Sequence, residues 1–237
     1  MKEYYKFPVT KYIIAPENGL SRTDRVFSGS EVQQLLQHKL TIEEKIDGAN
    51  LGISFSGQGD LLLQNRGGWV QKPYAGQWKK LEEWIPLHQD TLFDYLTDRY
   101  ILFGEWCYAQ HSLYYDRLPD WFIGFDIFDK MEEKFFSVER RNEFLKCMKI
   151  SVIRQIGCGI YTLDELMKLK VKSGYGNVLC EGIYIRKDDE KWLEQRAKLV
   201  RKDFAQNIDV HWSHKNFVHN QLDFWTGSVY DSRRINP

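Results

Sequence analysis

A lysine set between carboxylates and a glycine turn is the feature of this chain best suited to chemistry. Residues 43–50 read EEKIDGAN, so Lys45 ends a predicted strand and a turn follows at once. Such a lysine can be an exposed residue beside a tight turn, or it can be a nucleophile. A lysine amine attacks only after it loses a proton, and burial beside a cationic or metal-rich site favours that loss. Lys45 is therefore a candidate nucleophile.

Further polar residues follow at the ends of other predicted strands. Arg66 lies beside the flexible pair Gly67-Gly68, and Glu105 and Glu181 each lie at the mouth of an apolar strand. Arg196 and Lys198 are two residues apart, so on a strand both side chains point to the same face. The chain thus offers a second set of cations and carboxylates that could act together with Lys45.

Hydrophobic periodicity and turn signals predict the elements that must position these residues. The predicted strands are 40–46, 51–55, 61–65, 99–106, 121–129, 181–186 and 192–201. The predicted helices are 31–37 capped by Ser30, 77–96 with a break near Pro86, 137–149, and one opened by the capping box Thr162–Glu165. We expect the first three strands to be antiparallel neighbours and the last two to form a hairpin. Because strands and helices do not alternate regularly, the pattern predicts an α+β fold built on antiparallel sheet.

The composition excludes several classes of protein. The chain has 237 residues, 43% of them hydrophobic and 15% aromatic, which supplies a core and argues against disorder. Its 33 basic residues balance 33 acidic ones, so no bulk positive charge is available to hold nucleic acid. No stretch has the length and apolar character of a membrane span or signal peptide. Four cysteines without a CxxC pair fit a reducing, cytoplasmic location.

Six short segments, in order, resemble the signature of the covalent lysyl-nucleotidyltransferase superfamily, which includes DNA ligases and mRNA capping enzymes. They are Lys45-Ile-Asp-Gly, Arg66, Phe-Gly-Glu105, Phe125-Asp126, Glu181-Gly and Arg196-x-Lys198. The stretch 102–129, LFGEWCYAQHSLYYDRLPDWFIGFDIFD, resembles specifically the ATP-dependent RNA ligase branch. The resemblance implies an adenylation domain with two packed antiparallel sheets flanked by helices.

The resemblance also implies a reaction in three steps. Lys45 would attack the α-phosphate of ATP to form a lysyl-adenylate and release pyrophosphate. The AMP would pass to a 5′-phosphate RNA end, and a 3′-hydroxyl would then displace it to seal the strand. Glu105 would bind the ribose hydroxyls, and Arg66 would contact the sugar or the end being joined.

By the same resemblance Phe125 would stack on adenine, since a flat aromatic ring supplies stacking without reading base edges. Ordinary core packing is the alternative, because Phe122 and Phe128 compete for that position. Asp126 is expected to be a structural partner of the site. Glu44 would accept a hydrogen bond from the adenine amino group.

Glu181 matches the metal-associated carboxylate of the family and would bind Mg²⁺, which needs only one or two protein carboxylates. The alternative is a strand-end glutamate paired with Arg186 or Lys187. Arg196 and Lys198 would stabilise charge on the α-phosphate. The arginine departs from the two lysines usual at this motif, and a register that uses Lys198 and Arg201 is the competing assignment.

Two further residues are expected to bind the cofactor by their match to the family pattern: Asp47 fits the ordinary signature, and Asn50 fits a position found in nick-sealing RNA ligases. His111 has no predicted role beyond a structural one. The histidines of 211–219 lack the acidic or cysteine partners of a zinc site, so we expect that segment to contact RNA or to pack as a cap.

The expected organisation is an adenylation domain over residues 1–204 and a short packed tail over 205–237, too short for an OB-fold. The expected cofactors are ATP and Mg²⁺, and the expected partners are RNA 5′-phosphate and 3′-hydroxyl ends and an accessory RNA-binding protein, with no membrane. Three alternatives stay open: a minimal DNA ligase, a capping-type nucleotidyltransferase, and a non-catalytic module that binds RNA ends.

Overall fold

The computed structural model describes residues 4–16, 19–20, 24–201, 204 and 217–223. Its strands are β1 (Lys11–Tyr12), β2 (Leu40–Lys45), β3 (Ala49–Phe55), β4 (Leu61–Gln64), β5 (Tyr100–Trp106), β6 (Phe122–Asp129), β7 (Lys134–Phe135), β8 (Gln155–Gly159), β9 (Gly182–Asp188) and β10 (Leu193–Val200). Its α-helices are α1 (Gly29–Leu36), α2 (Leu81–Leu96), α3 (Val138–Cys147) and α4 (Leu163–Lys168). Mixed helices and antiparallel strands confirm the predicted α+β class.

The strands form two five-stranded sheets. The first sheet has the order β1-β10-β9-β2-β8, in which only the β1–β10 pair is parallel, and the second has the order β4-β3-β5-β6-β7. The predicted hairpin is confirmed as β9–β10. Two sheets flanked by helices agree with the expectation, and the described residues form no closed barrel.

The expectation that the first three strands are neighbours is wrong in one respect. The strands β3 and β4 do pair, but β2 lies in the other sheet between β8 and β9. The turn after Lys45 sends the chain across to the second sheet, where Ala49 pairs with Trp106. Consecutive strands with a short link usually pair, and the sequence contains no local sign that this link crosses between sheets.

Two helix boundaries also differ from the prediction. Ser28, and not Ser30, caps α1. The side chain of Ser28 accepts a hydrogen bond from the N–H of Glu31, and the carboxylate of Glu31 accepts one from the N–H of Ser28. Pro86 does not break α2, which runs continuously through it. Proline removes one helical hydrogen bond, and the packing of Trp84, which is fully buried beside Pro86, carries the helix across that loss. The capping box Thr162–Glu165 opens α4 as predicted.

Each sheet has one face covered by helices. On the outer face of the first sheet, Ile42, Ile185 and Ala197 pack in one cluster with Leu35 of α1 and Leu166 of α4. The second sheet packs against α2 and α3 within a larger aromatic cluster. The remaining faces turn toward each other, and side chains from both meet there. No helix in the described part of the chain is long and apolar enough to cross a membrane.

Candidate active site

Lys45 is the last residue of β2, and its side chain points into the space between the sheets. The register pairs Lys45 with Gly182, so Glu181 stands directly beside it at the start of β9. The Lys45 Nζ lies 2.5 Å from Glu181 Oε2, and both side chains are largely buried. The Lys45 Nζ also lies 5.8 Å from the centroid of the Tyr184 ring. The strand-end lysine is therefore a buried, paired ammonium group and not an exposed one.

Glu105 approaches the same ammonium group from the second sheet. It lies on β5 opposite Asn50 of β3. Burial raises the pKa of Glu105 to about 7, and the positive charges of Lys45 and Arg66 oppose that rise. Burial lowers the pKa of Lys45, but the carboxylates of Glu181 and Glu105 outweigh it and hold that pKa above its ordinary value. In the free protein Lys45 is therefore protonated.

The remaining cations of the site are Lys198 of the first sheet and Arg66, an exposed residue in the turn that follows β4. Lys198 of β10 lies opposite Tyr184, on the face of the first sheet that carries Lys45. Burial lowers the pKa of Lys198, Asp24 raises it, and the charges of Lys45 and Arg66 lower it further. Three cations are thus close enough to repel one another, which is the arrangement an incoming polyphosphate would relieve.

The turn after Lys45 is fixed by a loop of the branch-specific stretch. The Asp47 carboxylate accepts the N–H groups of Ser112 and Leu113 at 2.7 and 2.9 Å, and the Asp47 N–H donates to the Tyr115 hydroxyl. A Cβ at Gly48 would stand 2.8 Å from a backbone oxygen of β5, so only glycine fits. The structure thus shows Asp47 holding the turn, and its predicted contact with the cofactor stays a prediction.

Asn50 and Phe125 both lie at the inner face of the second sheet. The Nδ2 of Asn50 is buried and has no hydrogen-bond partner among the described residues, so it is available to a ligand. Phe125 is the extra residue of a β-bulge where β6 pairs with β5, and its ring contacts Phe7. Of its competitors, Phe122 packs against Trp84 of α2. The stacking role of Phe125 stays a prediction.

Arg196 is held within the protein. Its guanidinium forms an ion pair with the buried Asp126 and lies 4.6 Å from the centroid of the Phe7 ring. Asp126 also binds Arg186 at 2.5 Å, so it is the structural partner that the sequence predicts. Arg186 therefore pairs with Asp126 and not with Glu181. Lys198 therefore lies on the same face of the first sheet as Lys45, whereas Arg196 is ion-paired with Asp126 between the two sheets.

Glu44 lies on the opposite face of β2 from Lys45. Its carboxylate accepts the Ser173 hydroxyl at 2.5 Å and the Gly174 N–H at 3.0 Å, and it is fully buried. Both oxygens accept hydrogen bonds from this turn, and the predicted contact of Glu44 with adenine stays a prediction. Sequence adjacency to Lys45 suggested a shared site, whereas strand alternation separates the two side chains.

A model of the RNA ligase family matches residues 38–200 of this chain. The chain belongs to the RNA ligase family. The matched range contains all six sequence motifs, the whole second sheet, and every strand of the first sheet except β1. A search of curated proteins found no match.

Solved RNA ligases share the fold of this family member. A Naegleria gruberi RNA ligase variant with ATP and Mn aligns at 13% identity and a TM-score of 0.62, over 86% of this chain and 64% of that chain. An archaeal ATP-dependent RNA ligase aligns at 17% identity and a TM-score of 0.54, over 83% of this chain and 48% of that chain. A further N. gruberi variant, also with ATP and Mn, aligns over 54% of its length with a TM-score of 0.57. The chain spans between about half and two thirds of the structures that it matches.

The donor set of this candidate site fits a hard divalent cation. Glu181 is buried and Glu105 is half-buried, and desolvation raises the pKa of each, so their negative charges are incompletely offset. Oxygen donors of this kind suit Mg²⁺. The described residues contain no group of three or more His, Cys, Asp or Glu side chains able to hold a metal. Mg²⁺ does not require such a group, because it keeps several waters of its own.

The sequence missed three residues of this site. Tyr12, Asp24 and Tyr184 all surround Lys45 or Lys198. The position of Tyr184, two residues into the strand that follows Glu181, was a usable signal. Tyr12 and Asp24 lie in an irregular N-terminal segment whose sequence shows no motif.

The histidines are only partly described. The Nε2 of His111 lies 2.9 Å from the Gln77 Oε1, in agreement with a structural role. His219 stacks on Tyr108 with ring centroids 5.6 Å apart. His211 and His214 lie outside the described residues, as do Lys202, Asp203 and 205–216.

Proposed function

We propose that this chain is an ATP-dependent RNA ligase that works through a lysyl-AMP intermediate. The observation that carries the proposal is the buried Lys45–Glu181 pair, which faces Glu105 across the two sheets beside Lys198. This group of side chains contains an amine that can act as the nucleophile, carboxylates that can bind a sugar or a metal ion, and a cation that can bind phosphate. N. gruberi RNA ligase has been solved with ATP and Mn, with AMP and Mn, and with PPi, which supports ATP as the nucleotide.

In the first step the Lys45 Nζ attacks the α-phosphorus of ATP. The Lys45 ammonium group first gives one proton to solvent. A P–N bond then forms, the bond from the α-phosphorus to the bridging oxygen breaks, pyrophosphate leaves, and the nitrogen gives a second proton to solvent. In the second step an oxygen of an RNA 5′-phosphate attacks the same phosphorus, the P–N bond breaks, and the Lys45 nitrogen takes up a proton from solvent as it leaves as the amine. In the third step a 3′-hydroxyl attacks the RNA 5′-phosphorus, loses its proton, and AMP leaves.

The side chains divide the work according to their charge. Lys198 neutralises the α-phosphate oxygens during transfer, and Arg66 is close enough to support the sugar or the RNA end. Glu105, with a pKa of about 7, can accept a hydrogen bond from a ribose hydroxyl when it is charged and can donate one to it when it is neutral. Asn50 offers its buried Nδ2 donor. Phe125 stacks on the base.

Glu181 is the residue that we assign to Mg²⁺, with Glu105 close by. When bound, Mg²⁺ supplies positive charge that offsets these carboxylates and the phosphate oxygens. Lys45 is paired with Glu181 in the free protein and holds its proton tightly. Any cation that engages Glu181 competes with that pair, which weakens the hold of Glu181 on the proton of Lys45.

Self-adenylylation with α-labelled ATP and Mg²⁺ tests the first step. Wild-type protein should retain label through denaturing electrophoresis and lose it in acid, because a phosphoramidate is acid-labile. Lys45→Arg keeps a cation beside Glu181 and should retain no label, since a guanidinium does not form this intermediate. Lys39→Ala, an exposed lysine just before the same strand, is the matched control and should label normally. Normal labelling of Lys45→Arg would overturn the mechanism.

RNA and DNA substrates test the later steps. A 5′-labelled RNA with a 5′-phosphate should gain AMP and then yield a longer product when a 3′-hydroxyl end is supplied. Preference for DNA ends would favour the minimal DNA ligase, and labelling by GTP in place of ATP would favour the capping-type enzyme. RNA-end binding without any covalent label would favour the non-catalytic module. Glu181→Gln should label weakly or not at all, and normal labelling would remove Glu181 from the metal site.

A further inference from the structure

The N-terminal segment places a tyrosine and an aspartate against Lys198. The strand β1 runs parallel to β10, and Tyr12 lies opposite Lys198 in the register. The Ile13 N–H donates to the Lys198 carbonyl at 2.9 Å, which fixes the two strands at this level. The Lys198 Nζ lies 3.8 Å from the centroid of the Tyr12 ring and 3.5 Å from the Asp24 Oδ1.

The backbone brings Asp24 to that position through Tyr12 itself. The Tyr12 N–H donates to the Arg25 carbonyl at 2.8 Å, and the Phe27 N–H donates to the Tyr12 carbonyl at 2.9 Å. The strand β1 is thus held between β10 on one side and residues 25–27 on the other. Asp24 precedes Arg25, so its carboxylate is carried to the same edge of the sheet as Tyr12. The Asp24 and Lys198 side chains are only 19% and 14% exposed, so water screens the attraction between their charges less than it would at the surface.

Lys198 needs such partners because two neighbouring cations repel it, and Glu181, the carboxylate that attracts it, is already paired with Lys45. Lys45 and Arg66 both carry positive charge toward the Lys198 ammonium group. Without a counter-ion, the flexible lysine stem would turn toward solvent or the amine would lose its proton. A carboxylate on one side and a ring face below leave the ammonium group directed toward Lys45, where the transferred phosphate must lie.

We propose that Asp24 and Tyr12 are positioning residues that hold Lys198 in place for phosphoryl transfer. This inference rests on the proposed adenylylation and adds to the site a segment that lies outside its six motifs. Asp24 supplies the opposite charge, and Tyr12 supplies the ring face on which the ammonium group rests. Both act through Lys198 and neither takes part in bond making.

Self-adenylylation rates at several ATP concentrations test the proposal. Asp24→Asn keeps the size of the side chain and removes its charge. The rate at saturating ATP should fall about tenfold, as for loss of a charged hydrogen bond. The KM for ATP should not rise, because loss of a negative charge leaves the cleft at least as attractive to triphosphate. A fall confined to KM, or a wild-type rate, would contradict the assignment of Asp24.

A double-mutant cycle shows whether Asp24 acts through Lys198. In a Lys198→Ala background, Asp24→Asn should cause no further loss, whereas an additive loss would show that Asp24 acts elsewhere. Tyr12→Leu should lower the rate about threefold and Tyr12→Phe should restore it, because only the ring face is required. Equal rates for the two Tyr12 variants would overturn the role of the ring.

Glu31→Gln is the matched control on the same segment. It breaks the Lys11–Glu31 ion pair, which measures 2.8 Å and lies on the surface, and it should leave the adenylylation rate unchanged. A loss shared by Glu31→Gln and Asp24→Asn would indicate general loosening of the segment and would refute the specific role. Absence of label on wild-type protein would refute the proposed function itself. A labelled wild type with an unaffected Asp24→Asn refutes only the present inference.

Discussion

Replacement of Arg141 by methionine should be among the most damaging single changes away from the nucleophile. Arg141 of α3 is fully buried, and its guanidinium donates to the Glu43 carboxylate at 2.5 and 3.2 Å, to the Phe125 carbonyl at 2.6 Å, and to Asn142. These bonds join α3 to both sheets behind the site. Methionine fills most of the volume but leaves Glu43 buried, with Arg186, at 3.8 Å, as its one charged partner in the part of the chain that the structure describes.

The expected cost follows from the charge that is left behind. Removal of one partner from a buried ion pair costs about 3–5 kcal/mol, because the other charge stays buried without compensation. Urea denaturation followed by circular dichroism should show this loss as a lower midpoint at similar slope. Arg140→Met is the matched control on the next residue. The Arg140 guanidinium lies on the Phe136 and Trp192 rings near the surface, so its loss should cost only about 1 kcal/mol.

A second substitution separates charge from packing. Adding Glu43→Gln to Arg141→Met removes the stranded carboxylate, so the double variant should be more stable than Arg141→Met alone by about 1–3 kcal/mol. If the two losses simply add, or if Arg141→Met costs no more than Arg140→Met, the buried-charge reasoning is refuted. The Arg141–Glu43 ion pair would then form because of the fold without contributing to the free energy of unfolding.

Two further predictions concern stability. Burial raises the pKa of Asp120 from 3.8 to about 7, so the folded state binds its proton more tightly than the unfolded state. The free energy of unfolding should therefore fall between about pH 4 and pH 7, and Asp120→Asn should remove at most about 4 kcal/mol of that fall in urea titrations. A Cβ at Gly182 would stand 2.2 Å from the Leu199 carbonyl oxygen, so Gly182→Ala should lower the midpoint of thermal unfolding, whereas Gly57→Ala, with nothing closer than 3.9 Å, should not. Equal pH profiles for Asp120→Asn and wild type, or equal midpoints for the two glycine variants, would contradict these expectations.

Local elements were predictable because their signals are local. The capping box at Thr162 and the alternation of β9 and β10 specify a helix start and a hairpin within a few residues. The strand β8, with the sequence QIGCG, was missed because glycine and glutamine give it no β-strand signal. Its pairing with β2 is a tertiary contact that overrides local preference.

The site could be predicted only in part. The candidate nucleophile Lys45 and the carboxylates Glu105 and Glu181 were recognisable, because each combines a residue type with a strand end and occurs in a fixed order. Glu44 was expected by the resemblance to bind adenine; strand alternation turns its carboxylate to the opposite face of β2 from Lys45, and its contact with adenine stays a prediction. Sequence order carries no information about which charge will pair with which across the sheets.

By itself the sequence determined the family, the order of the motifs and the candidate nucleophile, since these depend on residue types and spacing along the chain. Only the tertiary structure decided that β2 and β3 lie in different sheets, that Arg196 is fastened to Asp126, and that Asp24 reaches Lys198 from 174 residues away. Charge pairs form wherever folding brings opposite charges together out of water, and that proximity arises from sheet topology and not from neighbours in sequence.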